Sequence, residues 1–350
     1  MAARSRSRSF LVAAAALALA APLAIVAALA SPASAAPGKP HNVYMYKVEK
    51  HVDLSGEFPD NYLHEHVYCQ PGDIALDGMW RVDHVDQANP PDTVGDERDV
   101  VFTASYGDDS DRTEWHFRAQ NHADGDAQIK LFVTCIDGTV KQTNGHVHNT
   151  VISARHDDST NTGWLAGDHA GVFHSFTCPS GTLAVAPGFR FSNAGAPDDD
   201  HVVHLYRSWT TNNYRGWQWA FLVDDDNVDV DLYLRCLQVK TSANGSGPHA
   251  HNLLWAFRPG FNGDDQYLSG SGMQERRLNC DDNPNGNRYQ DYKAMVGAFW
   301  IQDPYHAWYL GQDPRPKQRA FRYWWNGPGD NRVWHGALCI RSVTGKQVRP

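Results

Sequence analysis

Six cysteines at a regular spacing constrain this chain more than any other feature. Cys69 and Cys135 are 66 residues apart, Cys178 and Cys236 are 58, Cys280 and Cys339 are 59, and the gaps between these pairs are 43 and 44. Such alternation is the signature of an internal repeat, and the flanking residues carry it further. Ile129–Ile136, Val230–Leu237 and Val333–Ile340 align without gaps around Cys135, Cys236 and Cys339. About twenty residues earlier stand Trp115-His-Phe117, Trp217-Gln-Trp219 and Phe321-Arg-Tyr323, each followed by a turn-rich stretch. A His-Asn pair precedes the first cysteine each time: His41-Asn42, His148-Asn149 and His251-Asn252. Four landmarks in one order divide the chain into units 37–143, 144–246 and 247–350.

Within a unit the hydrophobic period is that of strands. Val230, Leu232, Leu234 and Cys236 share one face, as do Ile129, Leu131, Val133 and Cys135. The W-x-F element, the turn and the cysteine run therefore read as a hairpin. Further strand-like runs, in the second unit Thr150–Ala154, Val172–Cys178, Leu183–Phe191 and His201–Trp209, bounded by Gly, Pro, Asn and Asp, give about six short strands per unit, and no helical period stands out. The expected fold is all-β: three tandem antiparallel β-sandwich-like or small-barrel repeats of about 100 residues. Fifteen pairings of six cysteines are possible. The repeat favours one disulfide within each unit, Cys69–Cys135, Cys178–Cys236 and Cys280–Cys339.

The first 36 residues point to an export signal. Arg4, Arg6 and Arg8 form a positive region, an apolar run extends from Phe10 to Ala30, and Ala33-Ser34-Ala35 offers a cleavage pattern. An uncleaved anchor is the rival reading, disfavoured by Pro22 within the run. The expectation is a secreted, extracellular protein of bacterial type with no membrane span after cleavage, where cysteines pair. A net charge of −9 argues against nucleic-acid partners.

Candidate sites each compete with a structural reading. His146-Val-His148 and His249-Ala-His251 put two imidazoles on one strand face, a metal-ligand spacing. The first unit has Lys39-Pro-His41 instead, and the alternative is that His-Asn caps a strand at a unit boundary. Asp281, Asn283 and Asn285, followed by Gly286, copy the first half of a calcium loop but lack its closing carboxylate. Possible cofactors are therefore Ca²⁺ or a transition metal, none of them required by the sequence. Other acidic turns, such as Asp108, Asp109 and Asp111, read as solvated loops. No G-x-S-x-G elbow or carboxylate pair in a catalytic frame stands out, which weighs against an enzyme. Trp300, Trp308, Trp324, Trp325 and Trp334 crowd the third unit beside a basic tail, and exposed aromatics stack on sugars. Repetition favours avidity. The leading expectation is a non-catalytic secreted or surface-associated binding protein for polysaccharide or another cell-wall or cell-surface component. A metal-dependent secreted enzyme using the histidine pairs and a self-assembling structural subunit are the alternatives.

Overall fold

A computed structural model describes residues 39–57, 59–85, 96–123, 125–142, 146–157, 172–191, 203–223, 230–242, 249–260, 267–280, 292–345 and 347–348. The export signal, Asp281, Asn283, Asn285, Trp164 and the acidic runs 198–200 and 224–226 lie outside the described residues. All described residues belong to one unit, Pro37–Pro350. Among them none forms a helix long and apolar enough to cross a membrane.

The fold is all-β and antiparallel, as expected. The first third supplies β1 (Met45–Leu54), β2 (Tyr62–Tyr68), β3 (Ile74–Val85), β4 (Val100–Gly107), β5 (Glu114–Asn121), β6 (Ala127–Ile136) and the short β7 (Thr139–Lys141). The second supplies β8 (Val147–Asn149), β9 (Ile152–Asp157), β10 (Val172–Thr177), β11 (Thr182–Phe191), β12 (Val203–Thr211), β13 (Gly216–Val223) and β14 (Val230–Gln238). The last supplies β15 (Ala250–His251), β16 (Trp255–Pro259), β17 (Tyr267–Leu268), β18 (Gly272–Asn279), β19 (Tyr292–Ile301), β20 (Ala307–Arg315), β21 (Gln318–Trp325), β22 (Asn331–Arg341) and β23 (Gln347–Val348).

No large sheet belongs to one segment alone. The first runs β1-β6-β3-β20-β21-β18, the second β2-β5-β4-β11-β14-β9 and the third β10-β13-β12-β19-β22-β16, with β17 also on β22. The first two join three strands from one third of the chain to three from another, and the third joins three to four. The seams are short: Gly311 opposite Arg81, Ala104 and Ser105 opposite Arg190 and Phe189, and Arg207 and Ser208 opposite Trp300 and Phe299. Register shifts in β3, β11 and β19, and in β4, β12 and β20, mark bulges beside every seam. A bulge bends its strand and increases its twist, so the halves of each sheet turn away from one another. At one seam Gly311 has φ +110, and a Cβ there would stand 1.9 Å from the Trp80 carbonyl oxygen. Only glycine permits that crossing.

The disulfides are Cys69–Cys135, Cys178–Cys236 and Cys280–Cys339, the pairing the spacing favours. Each staples two sheets, because the first cysteine follows β2, β10 or β18 and the second lies in β6, β14 or β22. The expected alternation in these last strands holds only part-way. In β6, residues Ala127–Leu131 alternate, then Phe132–Ile136 are all buried, and Leu232–Leu237 in β14 are buried without a break. The second face is covered by a different segment: Arg319 Nη2 donates to Thr134 Oγ1 at 3.1 Å, and Arg235 Nη1 donates to the Ala75 and Arg112 carbonyls at 2.7 and 2.8 Å.

The third aromatic hairpin departs from expectation by two residues. Trp115 and Phe117 face Gly107 and Ser105, and Trp217 and Trp219 face Thr210 and Ser208. The matching places opposite Pro314 and Gln312 hold Arg319 and Phe321, not Phe321 and Tyr323. Trp115 and Trp217 each donate their indole N–H to a serine, Ser105 at 3.0 Å and Ser208 at 2.8 Å. Arg319, fully buried, instead lies 3.4 Å from the buried carboxylate of Asp77.

A histidine cage as candidate metal centre

The His-Asn pairs lie at the segment boundaries. Asn42 bridges to both Lys141 and Val343, β8 pairs with β7 while Asn149 also bridges to Ser242, and β15 pairs with β23 while Asn252 also bridges to Lys240. Each His-Asn strand thus lies between the end of its own segment and the end of another. The three short strand sets close a ring. Backbone bonds secure it: Thr344 N donates to the His41 carbonyl at 2.8 Å, Thr241 N to that of His251 at 3.0 Å, and Ser242 N to that of Asn149 at 3.0 Å. Buried Thr344 and Thr241 also accept from the His41 and His251 amides, at 2.9 and 3.0 Å.

Because the inner histidine of each pair points to the same side of its strand, the ring brings three imidazoles face to face. His41, His148 and His251 are fully buried, with centroids 4.9 Å apart for His41–His148, 4.2 Å for His41–His251 and 5.0 Å for His148–His251. The outer histidines, two residues earlier, form a second tier. His146 and His249 are half-buried, and their Nε2 atoms are 2.8 Å apart. Lys39 takes the corresponding place in the first segment and is exposed. One ring nitrogen each from His41, His146, His148 and His251 lies within 4.8 Å of the others.

Hydrogen bonding fixes which nitrogen is available. His148 Nδ1–H donates to the Ser242 carbonyl at 3.0 Å and His251 Nδ1–H to the Gly345 carbonyl at 3.3 Å. That sets the tautomer, leaving Nε2 of both rings as a lone-pair donor. Both Nε2 atoms, and both ring nitrogens of His41, are buried without a hydrogen bond of good geometry. Burial, followed by repulsion from His251, His148 and His146, pushes His41 down to about 4, while the nearby His146 backbone works weakly the other way. Burial comes first for His148, His249 and His251 as well, all lowered. Neutral imidazoles are the form that ligates metal.

Sequence reasoning singled out four of these five residues and set His41 aside because its segment lacks the doubled histidine. The signal that finds it is the recurring Asn: the inner ligand is always the histidine directly before it.

The other candidates are placed differently. Trp324 and Trp325 are buried, and Trp308, half-buried, donates its indole N–H to His204 at 2.7 Å with Arg98 5.6 Å over its ring. Trp300 and Trp334 stack at 4.3 Å between Arg207 and Arg332, all on the third sheet. The basic tail is not a free face, since Arg319 is in the core and Arg322 pairs with Asp83 at 3.1 Å. Asp108 and Asp111 are occupied by their own turn, accepting from Ser110, Asp111 and Thr113, and Arg235 binds the carbonyls of Asp108 and Asp111.

No protein-family model matches the chain, and no curated protein matches it in sequence.

Proposed function

We propose that this is an exported, non-catalytic β-protein that holds one divalent transition-metal ion, Zn²⁺ by ligand chemistry, in the cage of His41, His148, His251 and His146. A single observation carries the reading: imidazoles from three distant stretches of sequence converge in a buried ring with unpartnered lone pairs and no carboxylate among them. Unsatisfied buried acceptors cost free energy, and one cation would satisfy several at once. Four imidazoles suit zinc or copper in a closed, structural coordination. The ion would fasten segments that also meet through the seams, backbone pairs, buried arginine contacts and a shared core. The three disulfides support an oxidising compartment.

The test is elemental mass spectrometry of untagged chain beginning at residue 37, with thermal melts in zinc and in chelator. We expect bound zinc that survives dialysis, a melting temperature lowered by chelator, and, in His148→Ala/His251→Ala, one equivalent of zinc fewer with a smaller chelator effect. A wild-type protein that takes up no metal and melts identically with and without zinc would end this reading.

A second reading, recognition of polysaccharide at a cell surface, is favoured by the Trp300–Trp334 pair, two half-buried tryptophans of the third sheet flanked by Arg207 and Arg332. Its test is co-sedimentation with cell-wall polysaccharide, which Trp300→Ala/Trp334→Ala would weaken at least tenfold if the pair is the platform.

A further inference from the structure

A different group of histidines lies on the second sheet, away from the ring. Strand alternation puts His64 and His66 on one face of β2, and register sets His66 directly opposite His116 of β5. Ring centroids are 5.1 Å apart for His64–His66 and 4.3 Å for His66–His116. One ligand nitrogen from each of the three lies within 4.8 Å of the others. His116 is held from behind by Tyr106, whose ring stacks on it at 4.7 Å and 5°. His64 is exposed, whereas His66 and His116 are half-buried.

Carboxylates already orient these rings. Glu114 Oε1 accepts from His66 Nδ1 at 2.5 Å and from the Tyr68 hydroxyl at 2.7 Å, and it stands 3.7 Å from His116 Nε2. Asp108 Oδ2 is 3.3 Å from the same Nε2. A carboxylate on one imidazole nitrogen fixes the tautomer and makes the other nitrogen a better donor. Asp108, Asp111 and Glu114 stand beside the patch, with Arg118 opposite His64 and Arg235 beside Asp111.

We infer that this patch is a second metal site, in which His64, His66 and His116 bind a divalent transition-metal ion, Zn²⁺ or Cu²⁺. Three protein donors on an open sheet face leave a coordination position for water or an external donor. Closed four-ligand sites hold structure, while open three-ligand sites bind or activate a further ligand. The ring cage and this patch therefore differ in kind. The inference does not rest on the cage, since the two sites share no residue.

Metal stoichiometry on the full chain from residue 37 tests it, after chelation and with Zn²⁺ and Co²⁺ as probes. The variant His64→Ala/His66→Gln alters the solvent side of β2, and its melting temperature in chelator checks that the fold is kept. We expect two equivalents of Zn²⁺ on the wild type and one on this variant. On His148→Ala/His251→Ala, which lacks the cage, Co²⁺ should give a ligand-field spectrum that shifts on adding azide, the sign of an open position. Retention of both equivalents by His64→Ala/His66→Gln overturns the inference. So does the absence of Co²⁺ uptake by the cage variant. If the cage reading alone fails, the wild type takes up one equivalent, and His64→Ala/His66→Gln abolishes it.

Discussion

Histidine 41 shows how much one side chain's surroundings decide. Its burial and its imidazole neighbours push it down to about 4, whereas an unfolded chain protonates it near 6.5. The unfolded state therefore binds the proton first as pH falls. In metal-free protein the stability due to this residue is complete above about 6.5 and is lost progressively as pH falls to about 4. Urea melts in chelator across that window should show the decline, and His41→Gln should make it shallower, the other lowered histidines keeping the rest. Arg319 and Asp77 make the complementary case of charges meeting in the core. Besides Asp77, Arg319 donates to Thr134 and to the Met295 carbonyl, the latter at 2.6 Å, while Asp77 also accepts from the Gly297 amide at 3.0 Å. Burial pushes the Asp77 carboxyl up to about 7 despite the nearby guanidinium. Removing one partner strands the other, so Arg319→Met should cost about 3–5 kcal/mol in equilibrium urea unfolding. Asp77→Asn added to it should recover part of that loss.

Among the elements, the bulged seams are where sequence-level rules give way. The strands of the second segment were legible: runs at 150–154, 172–178, 183–191 and 201–209 fall on β9 to β12 with ends offset by at most three residues. The bulges were not, because an extra residue in a strand leaves no periodic trace beyond a phase slip. Nor was the loss of alternation in β6 and β14, where a distant segment covers the second face. The cage was half legible for a related reason. The paired spacing exposes ligands sharing a strand, whereas convergence of three strands is a property of tertiary closure. Glycines separate strain from crowding here. Gly311→Ala meets both a positive φ and the Trp80 carbonyl, and should cost about 3 kcal/mol or more. Gly72→Ala, at φ +91 with nothing within 4 Å, should cost only about 1 kcal/mol of backbone strain. Thermal melts of the two variants side by side would read the difference.

For the whole molecule, covalent and non-covalent ties follow different maps. Closing a loop of about 60 residues is worth about 4 kcal/mol in the chain-entropy model, so Cys178→Ser/Cys236→Ser should lose roughly that much in urea unfolding. Yet every bridge joins two cysteines of the same third of the chain, while every large sheet draws strands from two thirds. A polypeptide severed at both segment boundaries would hence yield three internally cross-linked pieces with no bond between them. Their union would depend on strand pairing at the seams, on the shared core and its buried arginines, and on what the histidines hold. Such pieces could be made separately, mixed and exchanged, so that a single gene product would behave as a heterotrimer whose subunits happen to be spliced end to end.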